Sequence, residues 1–424
     1  MALGKIGLPL AVQFADKGHQ VIGADVNAAV VDLANRGIEP FPGEAHLAEK
    51  LSAAVAGGRL SATTDTAAAV AQSDAVVVVV PLFVNDKDEP DFGWMDSAAQ
   101  DIGRGLKAGT LVSFETTLPV GTTRQRWKPL LERVSGLVEG QDFHLVFSPE
   151  RVLTGRIFAD LRKYPKLVGG LSAAGAARAV SFYEGVLDFD DRPDLARGNG
   201  VWDLGSAEAA EMAKLAETTY RDVNIGLANQ FATFAAANGI DVHQVIEASN
   251  SQPYSHLHQP GIAVGGHCIP VYPRLYLWND HSATVVRAAR EANAAMPAYA
   301  VGLAKGALGD LAGSRSVVLG ASYRGGVKET AFSGVFPAVA ALEAEGAVVT
   351  VHDPMYTDEE LEALGLTPHA LGSPVDVAVL QADHAEYLSL SDADLPGVKV
   401  VIDGRRHLDP AAFPAATVLV VGRA

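Results

Sequence analysis

Short β-branched runs alternate with alanine-rich stretches through the first half of the chain. Runs of that length, separated by helical periodicity, are the mark of a parallel sheet flanked by helices. Strands are predicted at 20–24, 75–80, 110–114, 144–147 and 166–168. Helices are predicted at 8–17, closed by Gly18, and at 28–36, with Asn27 as N-cap and Gly37 beyond the end. The texture then changes. From 206 to 238 the pattern is helical without a break, with Ala209, Met212, Ala213, Leu215, Ala216, Ile225, Leu227, Ala228 and Phe231 on schedule. That makes a largely buried helix of about 33 residues, roughly 50 Å long at 1.5 Å per residue. One small domain has no need of such a helix, so it is expected to bridge two domains and to serve as a subunit contact. Asp241 is the expected cap of a short helix running through Asn250. The last third repeats the opening logic, with strands at 316–319 running into Gly320, at 348–351, at 377–380 and at 398–402. VIGAD ending at Asp25 and VTVHD ending at Asp353 are two versions of one strand-to-acid pattern. The reading is therefore α/β: two Rossmann-like parallel-sheet domains, at 1–200 and 301–424, joined by a long central helix and a helical middle domain at 201–300.

Totals narrow the partners. With 424 residues there is ample material for two or three cores. The net charge of −17 argues against nucleic acid or an anionic membrane, because no basic patch offsets the repulsion of phosphates. A small anionic substrate remains compatible, provided local cations or helix N-termini collect its phosphates. The longest apolar run, 75–84, is too short to span a bilayer and contains Pro81. No secretory signal is visible at the start. A single cysteine allows no intrachain disulfide, so a reducing cytoplasm is the expected setting.

The opening Gly4-Lys5-Ile6-Gly7-Leu8-Pro9 supplies the second and third glycines of a G-x-G-x-x-G turn. The second lets backbone approach a pyrophosphate and the third lets the helix pack close to the sheet. Asp25 ends the next strand, where a carboxylate bonds both hydroxyls of an adenosine ribose and repels a 2′-phosphate. NAD is favoured over NADP, with Gly4, Ile6, Gly7 and Asp25 at the cofactor; a plain turn followed by a capping Asp is the alternative. Ala2 stands at the first glycine position, and the strand that should precede the turn is missing. Exposed apolar surface and unpaired backbone are expected there, and the reading takes the start to be truncated.

The cysteine lies in Gly265-Gly266-His267-Cys268-Ile269-Pro270. A lone cysteine is often an inert buried thiol, but paired glycines and a proline mark a tight loop rather than core. A dehydrogenase needs a thiolate when an aldehyde must be oxidised further: sulfur attack gives a thiohemiacetal, hydride loss a thioester, and water an acid. Glu150 in SPER, Lys214 on the long helix and Thr117 in ETTLP are further candidates. Each has an ordinary alternative: an ion pair with Arg151, a solvated helix charge, a turn residue. His256, His258, His267 and Cys268 are legitimate zinc ligands, but their spacing fits no paired-ligand pattern, and no metal is expected.

Taken together, GKIGLPLA at the start, PDFGWMD, ETTLPVGTT from Glu115, SPERVLTG from Ser148, EMAKLAETTYRDVNIGLAN from Glu211, GGHCIP from Gly265 and ASYRGGVKET from Ala321 resemble the nucleotide-sugar 6-dehydrogenases. That family comprises the UDP-glucose, GDP-mannose and UDP-N-acetylmannosamine dehydrogenases, and the likeness runs nearly end to end. It implies an N-terminal NAD domain, a helical dimer-forming middle, a C-terminal nucleotide domain, and two NAD consumed per sugar. By the resemblance Cys268 is the nucleophile, Glu150 assists proton transfer or thioester hydrolysis, Lys214 stabilises an oxyanion, and Thr117 holds the hydrolytic water. Pro81 and Thr117 join the cofactor set. The substrate set is Glu150, Arg151, Val152, Lys214, Thr218, Tyr254, His258, Gly265, Gly266, Tyr272, Tyr323 and Arg324. Three positions depart from the family: Thr218 for Asn, Tyr272 for Asp, and Ala331 for an arginine before Ser333. The Thr218 hydroxyl and the Tyr272 phenol are expected to keep polar contacts, although a phenol is no carboxylate base at neutral pH.

His before Cys268 looks more like the N-acetylated hexosamine branch than the UDP-glucose branch. A UDP-N-acetylhexosamine is therefore the expected substrate, and a homodimer or higher homo-oligomer the expected assembly. Within the family a UDP-glucose or GDP-mannose dehydrogenase is the alternative, and two other readings stand beside it. A two-electron 3-hydroxyacid dehydrogenase needs neither the cysteine nor the C-terminal domain. A catalytically impaired nucleotide-sugar-binding homologue is the reading that the three departures and the missing strand support.

Overall fold

The computed structural model describes residues 1–423 and divides into two compact units. The first comprises Met1–Glu217 with Arg274–Asn279, the second Thr218–Pro273 with Asp280–Ala424. Both are α/β, as the alternating pattern predicts.

In the first unit the strands are β1 (Val21–Ala24), β2 (Leu60–Thr63), β3 (Ala75–Val78), β4 (Phe83–Val84), β5 (Pro90–Asp91), β6 (Leu111–Phe114), β7 (His144–Phe147), β8 (Lys166–Gly170) and β9 (Val201–Asp203). The main sheet has the order β3-β6-β7-β8-β9, β1 pairs only with β2, and β4-β5 is a small hairpin. Leu10 and Phe14 of the first helix, Gly7–Asp16, pack with Leu111, Val146, Val168 and Tyr183 into one core cluster. Leu8 and Val12 face a second cluster with Val30, Leu51 and Leu60. The helix limits follow their caps. Asn27 accepts from the Ala29 N–H at the start of Ala28–Asn35, and Gly18 (φ +91°) and Gly37 (φ +70°) turn the chain after each helix.

Met1 and Ala2 bond to both β1 and the β3 segment. Ala2 N–H donates to Ala24 O (2.8 Å), the Met1 amino group donates to Val77 O (2.8 Å), and Val79 N–H donates to Met1 O (3.2 Å). Below these residues lies a cavity of about 800 Å³, lined by β1, β3, the first helix and Phe182.

One feature of the sheet departs from the sequence reading. β8 runs antiparallel to β7, with Val146 opposite Gly170 and Phe147 opposite Gly169, whereas β3, β6 and β7 are parallel. An apolar run carries no direction, so the reading assigned this strand to a parallel sheet.

In the second unit β10 (Arg315–Leu319), β11 (Val348–His352), β12 (Val377–Leu380), β13 (Val400–Asp403) and β14 (Thr417–Val420) form an all-parallel sheet of order β11-β10-β12-β13-β14. Val318, Val379 and Ile402 pack on one face, and Val317, Leu319, Ala378, Leu380 and Val401 on the other. Both faces are covered, which is why these strands read as unbroken apolar runs. The long helix is Ala207–Ala237, 31 residues, continuous across the boundary between units. Its later part packs Ala228, Ala232 and Ala235 against Val242, Ile246 and Met296. Asp241 caps Val242–Asn250 by accepting from the His243 N–H.

Candidate functional site

The candidate residues divide between the two units. In the first, the turn before the opening helix shows why its two glycines differ. A Cβ on Gly7 would lie 1.8 Å from Ala2 O and 2.7 Å from Val79 Cγ2, so only hydrogen fits. A Cβ on Gly4 would meet nothing within 4 Å, so the space beside it is open to a ligand. Ala2 takes φ +62°, a left-handed conformation that favours glycine. Ile6, preceding the helix, offers no side-chain cap; Leu8 N–H donates to Gly4 O (3.1 Å) and Pro9 has no N–H, so what the turn offers an anion is the positive end of the helix dipole. Asp25 follows β1, and its two oxygens accept from the N–H groups of Leu3 (2.6 Å) and Asn27 (2.8 Å). A carboxylate has about four acceptor sites, so ribose hydroxyls still find capacity there. This cradle fits NAD.

Past β3 the chain reaches Pro81, and Thr116 Oγ donates to Val80 O (2.6 Å), tying the Thr117 segment to the strand end. Thr117 itself is buried. The loop after it is held by a carboxylate that the sequence reading passed over. Glu211, fully buried in the long helix, accepts from the N–H groups of Gly121 (2.5 Å) and Thr123 (2.9 Å) and from Thr123 Oγ (2.7 Å). Burial pushes this carboxyl up to about 7, against the lowering effect of its hydrogen bonds. Lys214 follows it one turn later on the same helix, also buried.

Glu150 follows β7 and is the outer member of a buried charge cluster. Lys166 Nζ, the first side chain of β8, donates to Glu150 Oε2 (2.9 Å) and to Glu115 Oε2 (3.0 Å). Tyr183 OH donates to Glu115 Oε1 (2.5 Å), and the ammonium lies 4.9 Å from the Tyr183 ring centre. Burial raises Glu150, but the charge and hydrogen bond of Lys166 and the Arg151 N–H outweigh it and hold the carboxyl below its ordinary range. Glu115 goes the other way, raised by complete burial and by Glu150 more than Lys166 lowers it. Arg151 turns from this cluster to Glu217 (Nε to Oε2, 2.8 Å), so the anticipated pairing of Glu150 is made with Lys166 instead. Val152 packs at the edge of the adjacent core.

In the second unit Gly265 and Gly266 lie against the Tyr323 side chain. A Cβ on Gly265 would fall 2.5 Å from Tyr323 Cβ, and Gly266, at φ +91°, donates its N–H to Ala331 O (2.8 Å). The packed glycines present Cys268 in an exposed position. Its thiol lies 3.8 Å from the Tyr272 phenol oxygen, within hydrogen-bonding reach for sulfur, and the Tyr272 N–H donates to Cys268 O (2.9 Å). His267 Nε2 pairs with Glu329 (3.5 Å), and Arg324 Nε donates to Tyr323 OH (3.2 Å). Thr218 is buried on the long helix. Asn224 ties the neighbouring loop to that helix, donating to His256 O (2.7 Å) and accepting from the His258 N–H (2.9 Å). His258 Nε2 is buried without a hydrogen-bond partner, whereas Tyr254 is almost wholly exposed. Among the described residues no group of three His, Cys, Asp or Glu side chains is arranged to hold a metal ion.

Comparison with known proteins agrees across the chain. Residues 1–187 match the NAD binding domain of the UDP-glucose/GDP-mannose dehydrogenase family, 208–295 its central domain and 317–410 its UDP binding domain. The chain belongs to this family. It is an NAD-dependent nucleotide-sugar dehydrogenase. The UDP-N-acetyl-D-mannosamine dehydrogenase of Pyrococcus horikoshii is 34% identical over 415 residues, 96% of this chain and 94% of that protein. The Escherichia coli K12 protein of the same name is 37% identical over 317 residues, 73% of this chain and 72% of that one. The solved UDP-D-ManNAc dehydrogenase of Pyrococcus horikoshii superimposes with a TM-score of 0.87 at 32% identity, covering 100% of this chain and 98% of that one.

Proposed function

We propose that this dehydrogenase oxidises the C6 primary alcohol of UDP-N-acetyl-D-mannosamine, or a close UDP-N-acetylhexosamine, to the carboxylate in a four-electron reaction. The observation that carries the sugar assignment is the extended similarity to relatives of that name. The division of labour is an NAD domain over 1–200, a helical middle over 201–300 and a nucleotide-binding domain over 301–424, supported by the order of the family segments.

Bound NAD supplies the hydride acceptor for both oxidations. The first gives the C6 aldehyde. Cys268 Sγ attacks it to form a thiohemiacetal, loss of the second hydride leaves a thioester, and water cleaves the C–S bond to release the acid and the thiol. The exposure of Cys268 and its polar contact with Tyr272 support the nucleophile role. Glu150, held ionised by Lys166, takes the proton from the alcohol or the water. Lys214, buried, stabilises negative charge on the oxygen of the covalent intermediates, and Thr117 holds the hydrolytic water. Arg151, Val152, Thr218, Tyr254, His258, Gly265, Gly266, Tyr272, Tyr323 and Arg324 make up the substrate-binding set.

The assembly is a homodimer or higher oligomer. Leu227, Phe231 and Phe234, exposed at i, i+4 and i+7 on the long helix, support a second copy as partner. No helix among the described residues is long and apolar enough to cross a membrane, and the single cysteine supports a reducing, cytoplasmic setting.

The test is the NADH yield per UDP-N-acetylmannosamine consumed, with Cys268→Ala run in parallel. Two NADH per sugar, lost in the variant, is the expected result. One NADH per sugar overturns the thioester route. Tight sugar binding with no NADH from a panel of UDP- and GDP-sugars overturns the activity and leaves a binding protein.

A further inference from the structure

The reversed direction of β8 has a chemical consequence. β6 and β7 run parallel, so the residues just beyond them, Glu115 and Glu150, emerge at the same edge of the sheet, and the Glu150 N–H donates to Glu115 O (3.2 Å). In the antiparallel register of β7 and β8, Phe147 lies opposite Gly169. Counting on from there, Glu150 falls opposite Lys166. Had β8 been parallel, its first residue would stand at the far edge, about 13 Å away at 3.3 Å per residue. The fold thus carries one lysine to the edge where two carboxylates already stand.

One ammonium cannot neutralise two buried carboxylates. Glu115 is fully buried and Lys166 nearly so, while Glu150 keeps 12% of its side-chain surface. Two ionised carboxylates on one Lys would leave an uncompensated buried charge, which is costly. Glu115 is the better placed to carry the extra proton because it lies deeper, and its burial outweighs the hydrogen bond that Tyr183 OH donates to its other oxygen. Glu150 retains the partly open position and the Arg151 N–H on Oε1 (2.7 Å).

We propose that Lys166 is a positioning residue for the oxidation: it holds Glu150 ionised and aimed, with Glu115 as the inner, proton-bearing carboxylate on the same ammonium. The proposal rests on the reading that Glu150 accepts a proton during turnover. The titratable and charged groups facing Glu150 within this unit are Lys166 from β8, Glu115 from the end of β6, and Arg151, which is anchored by Glu217 of the long helix. Asp160 and Tyr164 join them on the wall of the small cavity beside Glu150. Lys166 is the sole cation among the described residues hydrogen-bonded to the Glu150 carboxylate, so removing it acts on Glu150 first.

The experiment is the pH profile of kcat/KM for UDP-N-acetylmannosamine at saturating NAD, for the native enzyme and the variants Lys166→Met, Lys166→Arg, Glu150→Gln and Glu115→Gln. Lys166→Met is expected to move the acid limb to higher pH by about one unit, a loss near tenfold at the foot of the limb and far less on the alkaline side. Lys166→Arg restores the limb. Glu115→Gln, which puts a neutral amide in place of the neutral acid, leaves the limb unmoved and supplies the test if Lys166→Met does not fold, since a limb moved to lower pH means that Glu115 was ionised and overturns the arrangement. A folded Lys166→Met enzyme with native NAD affinity and an unmoved acid limb overturns the proposal, as does a loss equal at every pH that Arg does not rescue. Glu150→Gln separates the two failures. If its acid limb matches the native one, the reading of Glu150 is wrong; if the limb disappears while Lys166→Met leaves it unmoved, only the role of Lys166 is wrong.

Discussion

Gly4 and Gly7 open the same turn, yet the structure assigns them different burdens, and alanine at each separates the fold from the cofactor. At Gly7 the added carbon would stand 1.8 Å from Ala2 O. Ordinary contact begins near 3.4 Å, so the Met1–Leu3 segment must retreat by more than an ångström. That segment is fixed by Ala2 N–H to Ala24 O, Leu3 N–H to Asp25, and Val79 N–H to Met1 O. Straining three such bonds, at about 0.5–1.5 kcal/mol each, gives a loss of about 2–4 kcal/mol for Gly7→Ala. At Gly4 nothing lies within 4 Å and φ is not left-handed, so Gly4→Ala should leave stability within about 0.5 kcal/mol. Its effect falls on NAD, whose pyrophosphate needs the space the methyl would fill. Urea unfolding of both variants without cofactor, together with NAD titration, makes the comparison. Gly7→Ala should lower the unfolding midpoint at unchanged slope, and Gly4→Ala should weaken NAD at least tenfold at an unchanged midpoint. Equal stability of the two variants, or native NAD affinity in Gly4→Ala, refutes the reasoning.

Ala2→Gly relieves a left-handed alanine worth about 1–2 kcal/mol, less the backbone freedom glycine restores to the unfolded chain, for a net gain of about 0.5–1 kcal/mol in the same urea experiment. Glu211 goes from an ordinary 4.5 to about 7 on folding, so the native state holds a proton the unfolded state has lost. Its stabilising contribution is full below pH 4.5 and gone above pH 7, a fall of up to about 3 kcal/mol at ~1.4 kcal/mol per unit. The stability difference between Glu211→Gln and the native protein should therefore change by that order between pH 5 and pH 8, and a constant difference contradicts it. Tyr272→Phe removes the phenol beside the Cys268 thiol, where it can donate to a thiolate, and should slow iodoacetamide alkylation at pH 7 by about 2–10-fold. An unchanged rate means that the contact does not tune the sulfur.

Much of the molecule was fixed by local chemistry and so was legible in one dimension. Asn27 and Asp241 announce their helices because a side-chain acceptor one residue before a helix satisfies N–H groups that have no partner within the helix. The long helix was readable to within a residue at each end because its apolar spacing persists over many turns. Gly4, Gly7 and Asp25 were visible as a spacing, and Cys268 as the single thiol in a glycine-rich loop. The strand β2 escaped notice because Leu60-Ser61-Ala62-Thr63 holds one large apolar residue, and β14 was passed over although its Thr-Val-Leu-Val run is of the same kind as those that were read. What the sequence could not hold is direction and burial. Lys166 reads as a charge at the edge of a strand, and Glu115 as the first letter of a loop motif. Only the antiparallel turn of β8 sets that lysine between Glu115 and Glu150, and only the surrounding core makes their charges matter. Capping and periodicity depend on neighbours a few residues away, whereas the state of a buried carboxylate depends on which distant strand ends share its edge of the sheet.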